Sequence, residues 1–223
     1  MKKLNIVIFL ILATCILTSC TRTEKTYYPS GALQSIIHYR GNKETGTTTY
    51  FFESPNSVEM EVEMKHGKRN GEFNRYFENG NLDTHCIYKN DLQDGVQTTY
   101  TANGEKSEEF TFVKGKKDGP YRAYHLSGDI KIQGNFKDDL FDGDWHYFDE
   151  RGIPVGDGHF SKGIGSVTFY DADGRIARTT HYVNNKKDGK DVFYTPSGSI
   201  YKTVILKQDR IVSEQVDSSM LRK

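Results

Sequence analysis

From residue 27 to about residue 211, apolar and polar positions alternate in short runs cut by Gly, Asn and Asp. Ile130, Ile132 and Phe136 fall on one side of such a run, and Lys131, Gln133, Asn135 and Lys137 on the other. Leu82, Cys86 and Tyr88 repeat the pattern two units earlier. A period of two predicts strands with one packed and one wet face. A preceding strand in each unit is less regular. Trp145 and Phe148 stand three apart, as do Tyr121 and Tyr124. One face of a regular strand cannot hold such a pair, so a bulge or packing on both faces is required.

The alternation is itself periodic. Gly46, Gly71, Gly95, Gly119, Gly143, Gly165 and Gly189 are spaced by 25, 24, 24, 24, 22 and 24 residues. Five residues after each comes an aromatic: Phe51, Tyr76, Tyr100, Tyr124, Phe148, Tyr170 and Tyr194. A second glycine follows four residues after most of these, as at Gly80, Gly104, Gly128 and Gly174, and the pair Tyr27 and Gly31 opens the series. In the second unit one extra residue is present and Asn56 takes the glycine slot. Dipeptides such as Asn79-Gly80, Asn103-Gly104 and Asp173-Gly174 suit hairpin turns that need positive φ. A longer turn is expected ahead of each first glycine, at Gly67, Asp91, Gly115, Asp139 and Asn185. Each unit thus reads strand, tight turn, strand, longer turn. The prediction is an all-β, elongated antiparallel β-meander of about eight hairpin repeats of roughly 24 residues. At ~4.8 Å per strand, 16 strands make a body about 75 Å long. Pro154 occupies the usual Leu/Ile slot, and the stretch up to Gly165 is two residues short, so a local irregularity is expected there.

Units such as Asp118-Gly119-Pro120-Tyr121-Arg122-Ala123-Tyr124 followed by Ser127-Gly128-Asp129-Ile130, and Glu72 to Leu82, resemble the bacterial variant of the MORN repeat. The likeness runs from Tyr27 to about Ile211. It implies an elongated antiparallel sheet used as a scaffold or binding surface. Some bacterial members of the family are labelled antitoxins.

The first residues follow another pattern. Met1-Lys2-Lys3 is a short basic start, and Ile6 to Leu17 is apolar apart from Thr14. Twelve residues reach about 18 Å as a helix, too short for a hydrocarbon core of about 30 Å, so a secretory signal-peptide helix is expected over residues 1–19. Leu17-Thr18-Ser19-Cys20 resembles the bacterial lipobox. That resemblance implies cleavage between Ser19 and Cys20 and lipid attachment at Cys20, with acyl chains holding the mature protein to a membrane. Residues 20–26 are then the lipidated Cys and a polar tether, 27–211 the repeat array, and 212–223 a polar C-terminal tail that either adds a capping strand or is disordered. Thr21 in the slot after the lipidated Cys favours the outer membrane of a bacterial envelope.

Composition narrows the function. The chain of 223 residues carries 30 Lys and Arg against 30 Asp and Glu, and loss of Lys2 and Lys3 with the leader leaves a net charge of −2. A near-neutral body has no basic field for phosphates, so no nucleic-acid partner is expected. Cys15 leaves with the leader and Cys20 is lipidated, so Cys86 stays unpaired and reads as a small buried hydrophobe. The run Asp138 to Asp144 fails an EF-hand frame at Leu140, and Asp142-Gly143 is only the local copy of the repeat turn. The seven His residues are scattered, with His38 and His181 in one repeat slot. There is no zinc-ligand spacing, nucleophile elbow or P-loop. No catalytic, cofactor-binding or metal residues are expected, and the chain reads as a non-enzyme.

The ladder Tyr76, Tyr100, Tyr124, Tyr170 and Tyr194 is the remaining candidate. Core packing is its first reading, and an exposed surface that stacks on sugars or grips a peptide strand is its second. Trp145 shares the slot of Phe73 and Tyr121 and reads as core. The expected function is a membrane-anchored interaction scaffold binding a protein or an envelope polymer. The alternatives are an immunity or antitoxin protein and an envelope glycan hydrolase. Cys20→Ala is expected to abolish acylation and leave the precursor uncut; normal processing of that variant, seen by metabolic lipid labelling and mass, would remove the anchor.

Overall fold

The structure, a computed structural model, describes residues 21–217 and Ser219. The signal-peptide helix expected over residues 1–19, with Ser19 and Cys20, lies outside the described residues. Among the described residues, no helix is long and apolar enough to cross a membrane. Nineteen strands make one antiparallel sheet, two of them, Lys43–Glu44 and Leu92–Gln93, only two residues long. Each long strand pairs with its chain neighbours, as Lys106–Val113 pairs with both Gly95–Tyr100 and Lys116–Tyr124. The fold is the all-β meander of eight hairpin units that the periodicity predicts.

Its first strand differs from expectation. Thr21–Tyr27 is a strand paired with Leu33–Arg40, so residues 21–26 belong to the sheet and are not a free tether. Alternating threonines and charges suit an edge strand. The Thr26 and Ser35 hydroxyls bond at 2.7 Å, and the Arg22 guanidinium lies 4.4 Å from the Tyr39 ring centroid. At the other end Arg210–Val216 pairs with Ile200–Lys207, so the array runs to Val216 and the expected tail gives up its first residues to a capping strand.

The two turn types exchange roles relative to expectation. The tight turns after the ladder aromatics put only the glycine at positive φ (Gly80, 84°), and its N–H donates to the carbonyl three residues back, Gly80 to Phe77 at 2.9 Å. Asn56, in the glycine slot, takes φ 61°, which Asn tolerates better than most residues. The turns at the other end of the strands need two left-handed residues: Asn90-Asp91 (51° and 70°), Asp138-Asp139 (49° and 69°) and Asn184-Asn185 (52° and 64°). Those are the mirror-image hairpin turns. Asp91, Asp139 and Asp209 each clip onto the unit before. Their N–H groups donate to the carbonyls of Arg69, Lys117 and Lys187 at 2.8–2.9 Å. Their Oδ1 atoms accept the N–H of the same three residues at 2.8–2.9 Å.

Between the clip and the body of each strand the chain bends. Phe141 and Trp145 have ring centroids 4.3 Å apart, whereas four residues of straight strand span about 13 Å. Gly119 shows how the bend is made. It sits at φ 129°, and a Cβ there would come within 2.9 Å of Thr111; the register slips by two between Phe110 and Phe112. Turn segments thereby lie over one sheet face. The Lys117 ammonium is 3.7 Å from the Phe110 ring centroid, and Phe141 is 5.2 Å from Phe160. The buried row under them runs through cross-strand partners: Val62, Phe73 and Cys86, then Phe110, Tyr121 and Gly134. Trp145, Gly158, Val167, Thr180, Asp191 and Val204 continue it. Gly134 is obligatory because a Cβ would enter the Trp145 indole. Trp145, Phe160 and Val167 are at most 3% exposed, and Cys86 is buried as expected.

The irregularity expected near Pro154 is a missing bend. Pro154–Ser161 and Ile164–Tyr170 pair in unbroken register, because the two absent residues are those of the bulge. Gly163 stands where other clips have Asp91 or Asp139, and it has no side chain to accept the Phe141 N–H. Asn185 of the next unit reaches back instead: its Oδ1 accepts the Phe141 N–H at 2.7 Å and its Nδ2 donates to the Asp139 carbonyl at 2.8 Å. The row is also broken by a charge. Asp191, 3% exposed, fills the slot that Trp145 and Tyr121 hold elsewhere. It accepts from Arg178 Nε at 2.7 Å and Thr180 Oγ1 at 2.8 Å. Burial alone would raise its carboxyl, but those two donors hold it below the ordinary value.

Asn185→Gly keeps the left-handed turn and removes the bridge, so it is expected to cost about 1–3 kcal/mol in denaturant unfolding, while Asn184→Gly is near neutral. Asp191→Asn is expected to cost about 3 kcal/mol near pH 7. A depressed carboxyl contributes stability that is present above its unfolded pKa and lost as pH falls through the folded one. The gap between wild type and Asp191→Asn should therefore close in unfolding curves taken below about pH 4; a gap independent of pH would mean that Asp191 is not ionised in the fold.

Candidate functional site

The face turned away from the buried row carries the candidate site. Glu61, Glu109 and Asp157 each precede a residue of that row, Val62, Phe110 and Gly158, and so point the other way. They are the acceptors of the ladder phenols. Tyr76 donates to Glu61 at 3.0 Å, Tyr124 to Glu109 at 2.6 Å and Tyr170 to Asp157 at 2.6 Å. The ladder tyrosines are half-buried and lie outside the buried row, on the opposite face. Tyr121, by contrast, is buried in the row. The three-residue spacing of Tyr121 and Tyr124 is packing on both faces.

A second bulge completes the surface. In all eight units the register slips just before the ladder aromatic, as between Ala123 and Tyr124. The slip leaves Lys131 unpaired and sets Ile130 opposite Tyr124 while Ile132 stays opposite Ala123. Ile130 therefore leaves the face of Ile132 and Phe136, where simple alternation put it. The same pairing recurs as Tyr27 with Leu33, Phe51 with Val58, Tyr76 with Leu82 and Tyr100 with Lys106. Phe148 with Pro154, Tyr170 with Ile176 and Tyr194 with Ile200 complete the set. Directly opposed residues share a face, so one aromatic–aliphatic stripe crosses every unit. Lys106 is its one polar member. Ile176 is 48% and Ile200 52% exposed.

Beside the stripe runs a polar row that includes Glu61, Asn74 and His85, then Glu109, Arg122 and Gln133, then His146, Asp157 and Thr168. Two shallow concavities lie against the stripe. One, of about 540 Å³, is lined by Phe52, Arg75, Tyr76 and Phe77; the other, of about 380 Å³, by Ile130, Gln133 and Phe148. Burial and the carboxylate bond raise the Tyr76 and Tyr124 phenols above the ordinary value. For Tyr170 the bond to Asp157 leads and burial follows. Burial would raise Glu109, but donation from Lys106 and Tyr124 holds it below the carboxylate range. At neutral pH the phenols are donors and Glu109 is an ionised acceptor. The surface presents rigid rings beside planar polar groups.

Other residues singled out by sequence have local tasks. Asp138 pairs with Lys116 at 2.8 Å and Asp139 serves the turn clip. His38 bonds Thr23 at 2.9 Å, and His181 bonds the Asp188 carbonyl at 2.6 Å. Burial raises the Cys86 thiol, whose sulfur accepts from Gln93 at 3.3 Å. Among the described residues, no three His, Cys, Asp or Glu side chains are grouped to hold a metal ion. Ser19 and Cys20 lie outside the described residues.

A family model described as "MORN repeat variant" matches residues 23–40, 69–90 and 117–138, each a strand, tight turn and strand. Those three segments are similar to the MORN repeat variant. The intervening units share the stripe. No curated protein matches the chain. Among solved structures, it is similar to part of an accessory secretory protein complex from Streptococcus pneumoniae (15% identity, 56% of this chain and 18% of that one, TM-score 0.19). It is also similar to part of a Photorhabdus luminescens Tc holotoxin pore (11%, 85% and 12%, TM-score 0.22). A third likeness is to S. aureus TarM (12%, 77% and 21%, TM-score 0.18). The chain spans about a fifth or less of the length of each, and at these scores the likenesses carry no argument.

Proposed function

We propose that this MORN-variant chain is a non-catalytic binding scaffold of the bacterial envelope, anchored through acylated Cys20 and holding an extended partner along its outer stripe. One observation carries the reading. The inner slot two residues after the first glycine changes identity from unit to unit (Thr48, Phe73, Gln97, Tyr121, Trp145, Val167, Asp191), whereas the half-exposed stripe keeps an aromatic in all eight units. Packing alone asks for the reverse emphasis, because buried positions are the ones that volume constrains. Rigid aromatics cost little conformational entropy when they meet a partner. Eight weak contacts on one body sum to useful avidity.

The anchor fits this use. Thr21 opens the first strand, so lipid on Cys20 would hold the array at the bilayer surface with no intervening spacer. Two or more acyl chains suffice for stable attachment. A photo-crosslinking amino acid at Tyr124 in living cells is expected to give adducts, and the same group at Lys114, on the opposite turn, none. Adducts at Lys114 alone, or at neither site, would refute the stripe as the binding surface.

A further inference from the structure

Resting on the stripe as the binding surface, we propose that its partner is a neutral polysaccharide chain. Three observations narrow the chemistry. First, the backbone N–H and C=O groups beneath the stripe are engaged in the ladder apart from single bulged residues such as Lys131, and among the described residues continuous free edges lie only at the two end strands. A peptide laid along the stripe would find no run of backbone partners and would leave most of its own polar groups unpaired, whereas peptides that bind sheets add at edges. A sugar chain brings hydroxyl groups and C–H faces and needs no strand pairing. Second, the half-exposed rings of Tyr76, Tyr100, Tyr124, Tyr170 and Tyr194 offer electron-rich faces to weakly positive C–H bonds. With Phe148 between Tyr124 and Tyr170, the rings recur every two strands, about 9.6 Å. Asn74, Arg122, Gln133 and the carboxylates that fix the tyrosine hydroxyls stand beside them to meet sugar hydroxyls. Third, the charges balance: Glu61, Glu109 and Asp157 against Lys25, Lys106 and Arg122. A polyanion would find no net attraction along this strip.

The test is native electrophoresis of the full-length chain through gels containing a neutral polymer (hydroxyethyl-cellulose, glycol chitin or dextran) or the polyanion alginate. Retardation by at least one neutral polymer is expected, and it should persist at high salt because no ion pairs are at stake. Replacing Tyr76, Tyr124 and Tyr170 by Ala should weaken it about tenfold or more, and replacing them by Phe much less, since the rings remain. Far-UV circular dichroism checks the fold; if the triple Ala variant is unfolded, Tyr100→Ala alone is expected to weaken retardation severalfold. No retardation by any neutral polymer, or retardation by alginate alone that salt abolishes, overturns the proposal. Protein adducts at a Tyr124 crosslinker without neutral-polymer retardation would leave the stripe standing and the polysaccharide refuted. With neither adducts nor retardation, both readings fall.

Discussion

A single sheet has nothing to bury its face against, and every other feature of this molecule depends on how that constraint is met. The solution is internal to each hairpin. A bulge at a glycine such as Gly119 lets the turn end of the strand fold back, so that Lys117 or Phe141 lies over the row beneath it. The fold-back is held by the reciprocal clip in which Asp91, Asp139 or Asp209 both donates to and accepts from the preceding unit. Stability is therefore shared between neighbours, as in other repeat arrays.

Where the device fails, the molecule shows what it was doing. The shortened unit lacks the fold-back bulge, and Gly163 has no side chain, so the Phe141 N–H would be orphaned without Asn185 reaching across from the next unit. Asp191 is the other exception. A carboxylate in an aromatic slot is tolerable only because Arg178 and Thr180 supply its bonds.

Because the core is closed on one face, the other is left outside it. The second bulge, one per unit, flips the first residue of the returning strand to the outer face and pairs it with an aromatic. Tyr124 and Ile130 become surface, while Tyr121 and Ile132, two or three residues away, pack inward. The proposed binding surface and the buried row thus lie on opposite faces of the same strands. The tyrosine hydroxyls, tied to Glu61, Glu109 and Asp157, keep the outer rings in place.

Much of this was legible in the chain. Glycine spacing and period-two alternation fixed the number of units, the strand and turn order and the short unit near Pro154, because turn chemistry and strand period act over a few residues. Trp145 and Cys86 were legible as core for the same reason. The face of the ladder tyrosines was not, and neither was the shift of Ile130. A bulge changes the parity of everything beyond it, and parity is settled by cross-strand register. One local signal existed: an aliphatic residue stands six positions after most ladder aromatics. Asn185 and Asp191 were invisible for a further reason, since their partners lie 44 and 13 residues away. The sequence alone determined a ladder of hairpins; which face was core and which was free came only from tertiary structure, because folding back over one face is a contact between units.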